Sequence, residues 1–236
     1  MKKLINNPAD FVDEVLDGIL TSHPAITIVA GDPRVIVRSD PGDDRVGIIT
    51  GGGSGHLPLF LGYVGPGACG GAAVGNVFSS PSPEQILAAT TALSTGAGIL
   101  YIFGNYGGDV LNFEVAAELA EDEGIQTDTV IVHDDVLSRP PAAADERRGV
   151  AGMVLVYKCA GAAAERGWSL AETARVARKA TESVLTAGVG LSPTILPTTG
   201  RPSFTIGEQE MEIGIGIHGE PGHERRLLET ADEIVD

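Results

Sequence analysis

Cations are scarce in this chain: 16 Lys and Arg stand against 32 Asp and Glu, a formal net charge of -16 with a sequence pI near 4.6. Nucleic acid and anionic membrane surfaces both call for clustered Lys and Arg, so neither is expected as a partner. Cysteine is nearly absent, and Cys69 and Cys159 lie far apart with no C-x-x-C spacing. Neither a disulfide framework nor a metal site is implied. No apolar run reaches the roughly 18 to 20 residues that span a bilayer. The N-terminus Met1-Lys2-Lys3-Leu4-Ile5-Asn6-Asn7-Pro8 has two lysines but no apolar leader region, so the protein is expected to be cytoplasmic. Nucleotide motifs are missing too. No Lys and Ser/Thr follow Gly55 as a P-loop would require, and His56 stands where a dinucleotide fingerprint places its third glycine.

Glycine, by contrast, is plentiful at 32 of 236 residues and has no fixed period. That excludes collagen-like and solenoid architectures and points to many tight turns, while the length suits one or two domains. The densest stretch is Thr50-Gly51-Gly52-Gly53-Ser54-Gly55-His56, which follows the apolar run Val46 to Ile49. A strand opening into such a loop lets backbone N–H groups approach a ligand, with one imidazole at the loop's end. A tight turn with a surface histidine is the alternative.

Around this loop the periodicities outline an α/β chain. Asn7-Pro8 reads as an N-cap and first helical residue ahead of an amphipathic run from Phe11 to Leu20. Strands are predicted at 25–29, 35–38 and 46–50, with short connections that imply antiparallel pairing at a sheet edge. A loose small-residue region follows from Gly62 to Ser80. Ser82-Pro83-Glu84-Gln85 and Ser169-Leu170-Ala171-Glu172 are capping boxes, opening helices to about Ser94 and Ala187. The unbroken apolar run 98–103 is a strand covered on both faces. It ends in Gly104-Asn105-Tyr106-Gly107-Gly108-Asp109, where the carboxylate serves as a helix N-cap, a ligand contact at a strand's C-terminal end, or both. Thr127 to Val132 is a further strand, and His133-Asp134-Asp135 reads as its solvated end. Ser138 to Arg148 reads as a loop, and Val150 to Gly167 as a buried helix.

Near the C-terminus, Ile213, Ile215 and Ile217 alternate with Gly214 and Gly216. In an extended chain this places His218 on the glycine face, with room for a ligand beside the imidazole.

Three motifs, Gly51 to His56, Asn105 to Phe113 and Gly216 to Gly222, occur in order, and similarity extends through Phe78-Ser79-Ser80-Pro81, Arg147 to Gly152 and Ala162 to Gly167. Together they resemble the substrate-binding subunit of dihydroxyacetone kinase, the DhaK type. The resemblance implies a mixed, mostly parallel sheet flanked by helices in a two-domain α/β fold, with a first domain over 1–187 and the start of a second over 188–236. It implies that His218 bonds covalently to a ketone carbonyl as a hemiaminal, and that His56 and Asp109 handle the hydroxyl proton during phosphoryl transfer. Gly53, Ser54, Gly55 and Gly104 complete the implied substrate site. No cofactor is expected on this chain. ATP or ADP with Mg²⁺ belongs on a partner nucleotide-binding subunit of the DhaL type, a phosphotransferase-system donor is a further partner the family admits, and a homodimer is expected.

Departures from the family pattern bear on substrate. Gly104 stands where relatives often carry lysine and Leu57 where they carry glutamate, so extra volume for a four-carbon ketose such as erythrulose is expected. The chain stops at Asp236, sooner than family subunits do, and the second domain is expected to be truncated. Paralogues that sense dihydroxyacetone and co-activate transcription are an alternative, against which the retention of both His56 and Asp109 argues. An unrelated α/β sugar-binding protein is a third reading.

Overall fold

The computed structural model describes residues 3–29 and 31–236; Met1 and Lys2, part of the N-terminal stretch read above, lie outside them. Its centre is β5 (Ile99–Gly104), buried at every residue as an apolar run without polar alternation requires. Leu100 and Ile102 face one hydrophobic core, and Ile99, Tyr101 and Phe103 face a second. The sheet therefore needs helices on both sides. α2 (Pro83–Leu93) and α3 (Gly107–Asp122) contribute Ile86, Ala89, Phe113 and Ala116 to one core. α1 (Phe11–Ser22), α4 (Met153–Glu165) and α5 (Leu170–Ser183) contribute Leu16, Val156, Tyr157, Ala160 and Ala174 to the other.

The remaining large-sheet strands are β1 (Ile26–Val29), β2 (Asp32–Arg38), β3 (Gly47–Gly53), β4 (Gly71–Gly75) and β6 (Thr127–Val132). They lie in the order β1-β2-β4-β3-β5-β6. β2 pairs antiparallel with both β1 and β4, whereas β4, β3, β5 and β6 run parallel. The chain leaves β3 to pair β4 on one side and later returns to pair β5 on the other. That reversal is the topological switch point at which open α/β sheets bind ligands, beyond the strands' carboxyl ends. Each core also holds one satisfied buried hydroxyl pair, Thr50–Tyr157 at 2.7 Å and Thr90–Tyr101 at 2.7 Å.

After α5 the chain builds a separate antiparallel sheet of β7 (Val189–Gly190), β8 (Glu210–Ile213) and β9 (Glu224–Leu227), followed by α6 (Ala231–Val235). Both capping boxes form as their sequences imply, and α5 ends at Ser183, short of Ala187.

Several expectations are corrected. Asn7-Pro8 makes a turn ahead of α1, with the Asp10 N–H donating to the Asn7 carbonyl at 3.0 Å and Asp10 at the N-cap. The loose region 62–80 contains β4, whose small residues let it lie flat between β2 and β3. Gly51 to Gly53 belong to β3 itself and are required by packing. A Cβ on Gly51 would lie 2.8 Å from the Ala73 carbonyl, one on Gly53 would lie 2.6 Å from the Val77 carbonyl, and one on Gly52 would enter the Phe60 ring. Asp134 and Asp135 are buried rather than solvated. Asp134 accepts the Val150 and Gly152 N–H groups, both at 2.8 Å, while Asp135 pairs with Arg148 at 2.8 Å. The isoleucine–glycine alternation stops at Ile213, because Gly214 turns with φ +78. The bare side of Gly216 is filled by the Glu220 carboxylate and the Arg148 guanidinium rather than left for a ligand.

Candidate active site

A cavity of about 220 Å³ opens at the switch point and is lined by Gly53, His56, Gly104, Asp109 and His218 among others. Three strand ends converge there. β3 ends at Gly53 and turns through one 3-10 turn to His56, β4 leads through residues 76–80, and β5 ends at Gly104 before α3 begins. His218 arrives from the loop after β8, 162 positions from its neighbour His56, and their Nε2 atoms are 2.9 Å apart.

Five of the seven predicted site residues line the cavity. Ser54 and Gly55 do not, and their N–H groups donate to the Asn76 and Val77 carbonyls at 3.2 and 2.6 Å rather than standing free for a ligand. Gly104 lines the wall, but a Cβ there would meet the Gly149 carbonyl at 2.9 Å and the Tyr106 ring at 3.2 Å. The expected extra volume at position 104 is therefore occupied by backbone. Asp109 is not the N-cap of α3, a position held by Tyr106; it sits in the first turn, buried, with its Oδ1 unpaired. Leu57 is exposed and is not among the residues lining the cavity.

Burial governs the site's electrostatics. It pushes the Asp109 carboxyl up to about 6, partly offset by the nearby Ser80 hydroxyl and the His218 ring. It also pulls His56 down to about 4, aided by repulsion from His218 and opposed by Glu220. His56 is thus neutral at pH 7, stacked on Phe78 with ring centroids 4.9 Å apart. Burial likewise raises the Tyr106 phenol above its usual range, with the Glu220 charge adding to the effect.

Sequence reasoning assigned no role to Glu220, Tyr106, Phe78 or Ser80. Glu220 reaches the His218 Nδ1 at 3.0 Å, and the edge of the Tyr106 ring meets His218 with centroids 4.9 Å apart. A carboxylate two residues from a site histidine was the available signal for the first. The others are placed only by the fold. Among the described residues no group of three or more His, Cys, Asp or Glu could hold a metal ion. No helix there is long and apolar enough to cross a membrane.

Two facing imidazoles and a buried carboxyl thus line one small cavity at the switch point of an α/β sheet. Residues 17–236 match the Dak1 domain, and the chain belongs to that family. It is 44% identical over its whole length to the dihydroxyacetone-binding subunit DhaK of the PEP-dependent dihydroxyacetone kinase of Escherichia coli, 66% of which it covers. It is 42% identical over its whole length to an L-erythrulose 1-kinase of Mycolicibacterium smegmatis, covering 41% of that protein. Among solved structures, the dihydroxyacetone kinase of C. freundii superposes with a TM-score of 0.91 at 38% identity, over 99% of this chain and 43% of that one. The operon co-activator Dha-DhaQ superposes at 0.85 with 33% identity, over 94% of this chain and 68% of that one. The chain thus spans about two thirds of the DhaK subunit and less than half of the larger kinases.

Proposed function

We propose that the chain binds dihydroxyacetone as a hemiaminal on His218 and presents a substrate hydroxyl for phosphorylation. The observation that carries this is the convergence of His218, His56 and Asp109 on one small cavity from three separate segments. At about 220 Å³ it lies below the roughly 300–1,000 Å³ of pockets for drug-sized ligands, which suits a short polyol rather than a nucleotide. A neutral imidazole nitrogen adds to a ketone, and the bond selects a carbonyl-bearing substrate over glycerol. Phosphoryl transfer then asks for a positioned hydroxyl and a base. Asp109, titrating near 6, is ionised at neutral pH while still basic enough to accept the proton, and His56 is kept neutral at the cavity wall.

The nucleotide, ATP or ADP with Mg²⁺, sits on a partner subunit in this reading, a phosphotransferase-system protein is a further phosphoryl donor, and the chain acts as a homodimer. Residues 188–236 form the start of a second domain that delivers His218.

A four-carbon ketose is a second reading, favoured by the comparable identity to the erythrulose kinase. One added hydroxymethyl group changes discrimination by about 1–3 kcal/mol. Assay of the chain with a nucleotide-binding partner subunit, ATP and Mg²⁺ on dihydroxyacetone and erythrulose tests both readings. Phosphorylation of dihydroxyacetone, with erythrulose within about tenfold in kcat/KM, is expected. No turnover of either ketose with a competent partner would overturn the kinase reading in favour of ligand sensing.

A further inference from the structure

The carboxylate of Glu220 grips His218 twice. One oxygen lies 3.0 Å from the ring Nδ1, and the other accepts the His218 backbone N–H at 3.0 Å. A carboxylate held by two donors from one residue fixes both the position of that residue and the rotation of its ring. We propose that Glu220 is the positioning residue of His218, holding its proton on Nδ1 so that Nε2 is the free nucleophile and neutralising the ring when Nε2 becomes bonded. This rests on the reading of His218 as the covalent residue.

The geometry around the ring supports the assignment from each side. An ionised carboxylate can only accept, so the nitrogen facing it carries the proton. Although burial opposes ionisation of Glu220, the His218 ring and backbone bonds together hold its carboxyl down at about 2. In the neutral ring Nε2 is then bare. It faces His56 Nε2 at 2.9 Å, and that nitrogen must donate for the contact to be a hydrogen bond. With both rings neutral, the contacts pair Nδ1–H on His218 with Nε2–H on His56. The other charged groups near Glu220 are Arg148 and, through it, Asp135. Arg148 donates to Asp135 at 2.9 Å and to the Gly214 carbonyl at 2.8 Å, tying the His218 loop to the end of β6.

In the addition step the Nε2 lone pair forms a bond to the carbonyl carbon. The C=O π pair moves onto oxygen, which takes one proton from solvent. The ring keeps its Nδ1 proton and becomes cationic, with Glu220 as its counter-ion. Without that charge the adduct carries an uncompensated, half-buried imidazolium. With Nδ1 unheld, part of the population places its proton on Nε2 and cannot attack.

The test combines ring ¹⁵N NMR of the full chain with dihydroxyacetone titration. In the unliganded wild type, His218 is expected to show the Nδ1–H tautomer. Glu220→Gln retains a carbonyl acceptor of the same shape, and is expected to keep that tautomer while weakening the dihydroxyacetone adduct by about 10- to 100-fold. Glu220→Ala is expected to mix the tautomers and weaken the adduct further, and Glu220→Asp to recover part of the loss. Unchanged thermal melting and backbone spectra in Glu220→Gln exclude a folding defect. An Nε2–H tautomer in the free wild type, or wild-type adduct affinity in both the Gln and Ala variants, would overturn the proposal. If the wild type forms no adduct on His218, it is the covalent reading that fails, and the tautomer measurement still decides whether Glu220 holds the ring.

Discussion

Burial disfavours charge on both Asp109 and His56, and so moves the two in opposite directions on the pH scale. The Asp109 carboxyl sits near 6 in the folded chain against an ordinary 3.8. Between those values the native state binds more protons than the unfolded state, so this residue's contribution to stability falls as pH rises. The cost of holding Asp109 ionised is about 3 kcal/mol once pH passes 6, and vanishes below about 4. Asp109→Asn is therefore expected to raise stability at pH 8 by up to about 3 kcal/mol, and by little at pH 3.5, when urea melts are compared. The same variant is expected to lower turnover by about two to four decades. Wild-type turnover should fall as pH drops through about 6, and the variant should lose that dependence. A variant with lower stability at pH 8 and unchanged turnover would mean that the carboxylate is structural. For His56 the sign is reversed: its folded value near 4 lies below the ordinary 6.5, so its contribution is present above 6.5 and is lost as pH falls toward 4.

At the scale of elements, β3 shows why a glycine run can be read in two ways. Close approach of backbone explains the glycines equally well whether the approaching group is a ligand or a neighbouring segment. Here the neighbours are Phe60, Phe113 and the chain at 73–78. Gly53→Ala is expected to destabilise the chain by about 1–3 kcal/mol through overpacking against the Val77 carbonyl and Phe78 Cα, seen as a lowered Tm even without ligand. Loss of ligand binding at unchanged Tm would restore the ligand explanation. Asp134 is the second such element. It joins the end of β6 to the start of α4 by accepting two N–H groups at 2.8 Å and the Thr186 hydroxyl. Asp134→Ala leaves the buried Gly152 N–H and the part-buried Val150 and Thr186 donors without a partner, and is expected to cost about 3 kcal/mol by chemical denaturation. A loss below about 1 kcal/mol would show that water replaces the carboxylate.

These cases also show what the sequence discloses. Helix starts marked by Ser82 and Ser169 and the doubly buried β5 are legible, because capping boxes and unbroken apolar runs are local signals. His56, Asp109 and His218 are legible as candidates because each ends a glycine-rich stretch, and the cavity brings them together. The burial of Asp134 is not legible, since its partners Val150, Gly152 and Thr186 lie 16 to 52 positions away. The grip of Glu220 on His218 depends on a turn that begins at Gly214, where an alternating pattern suggests a continuing strand.

At the scale of the whole molecule, the two sheets have different tasks. The six-stranded sheet presents the cavity at its switch point, and the loop between β8 and β9 of the small sheet brings His218 to it. The proposed capture of a ketose on His218 depends on that meeting. Native mass spectrometry of the chain with dihydroxyacetone, with fragmentation to locate the added mass, is the direct measurement. The substrate's mass is expected on the fragment containing His218 and is expected to disappear in His218→Ala. Added mass retained in His218→Ala, or found on another residue of the wild type, would contradict the covalent reading.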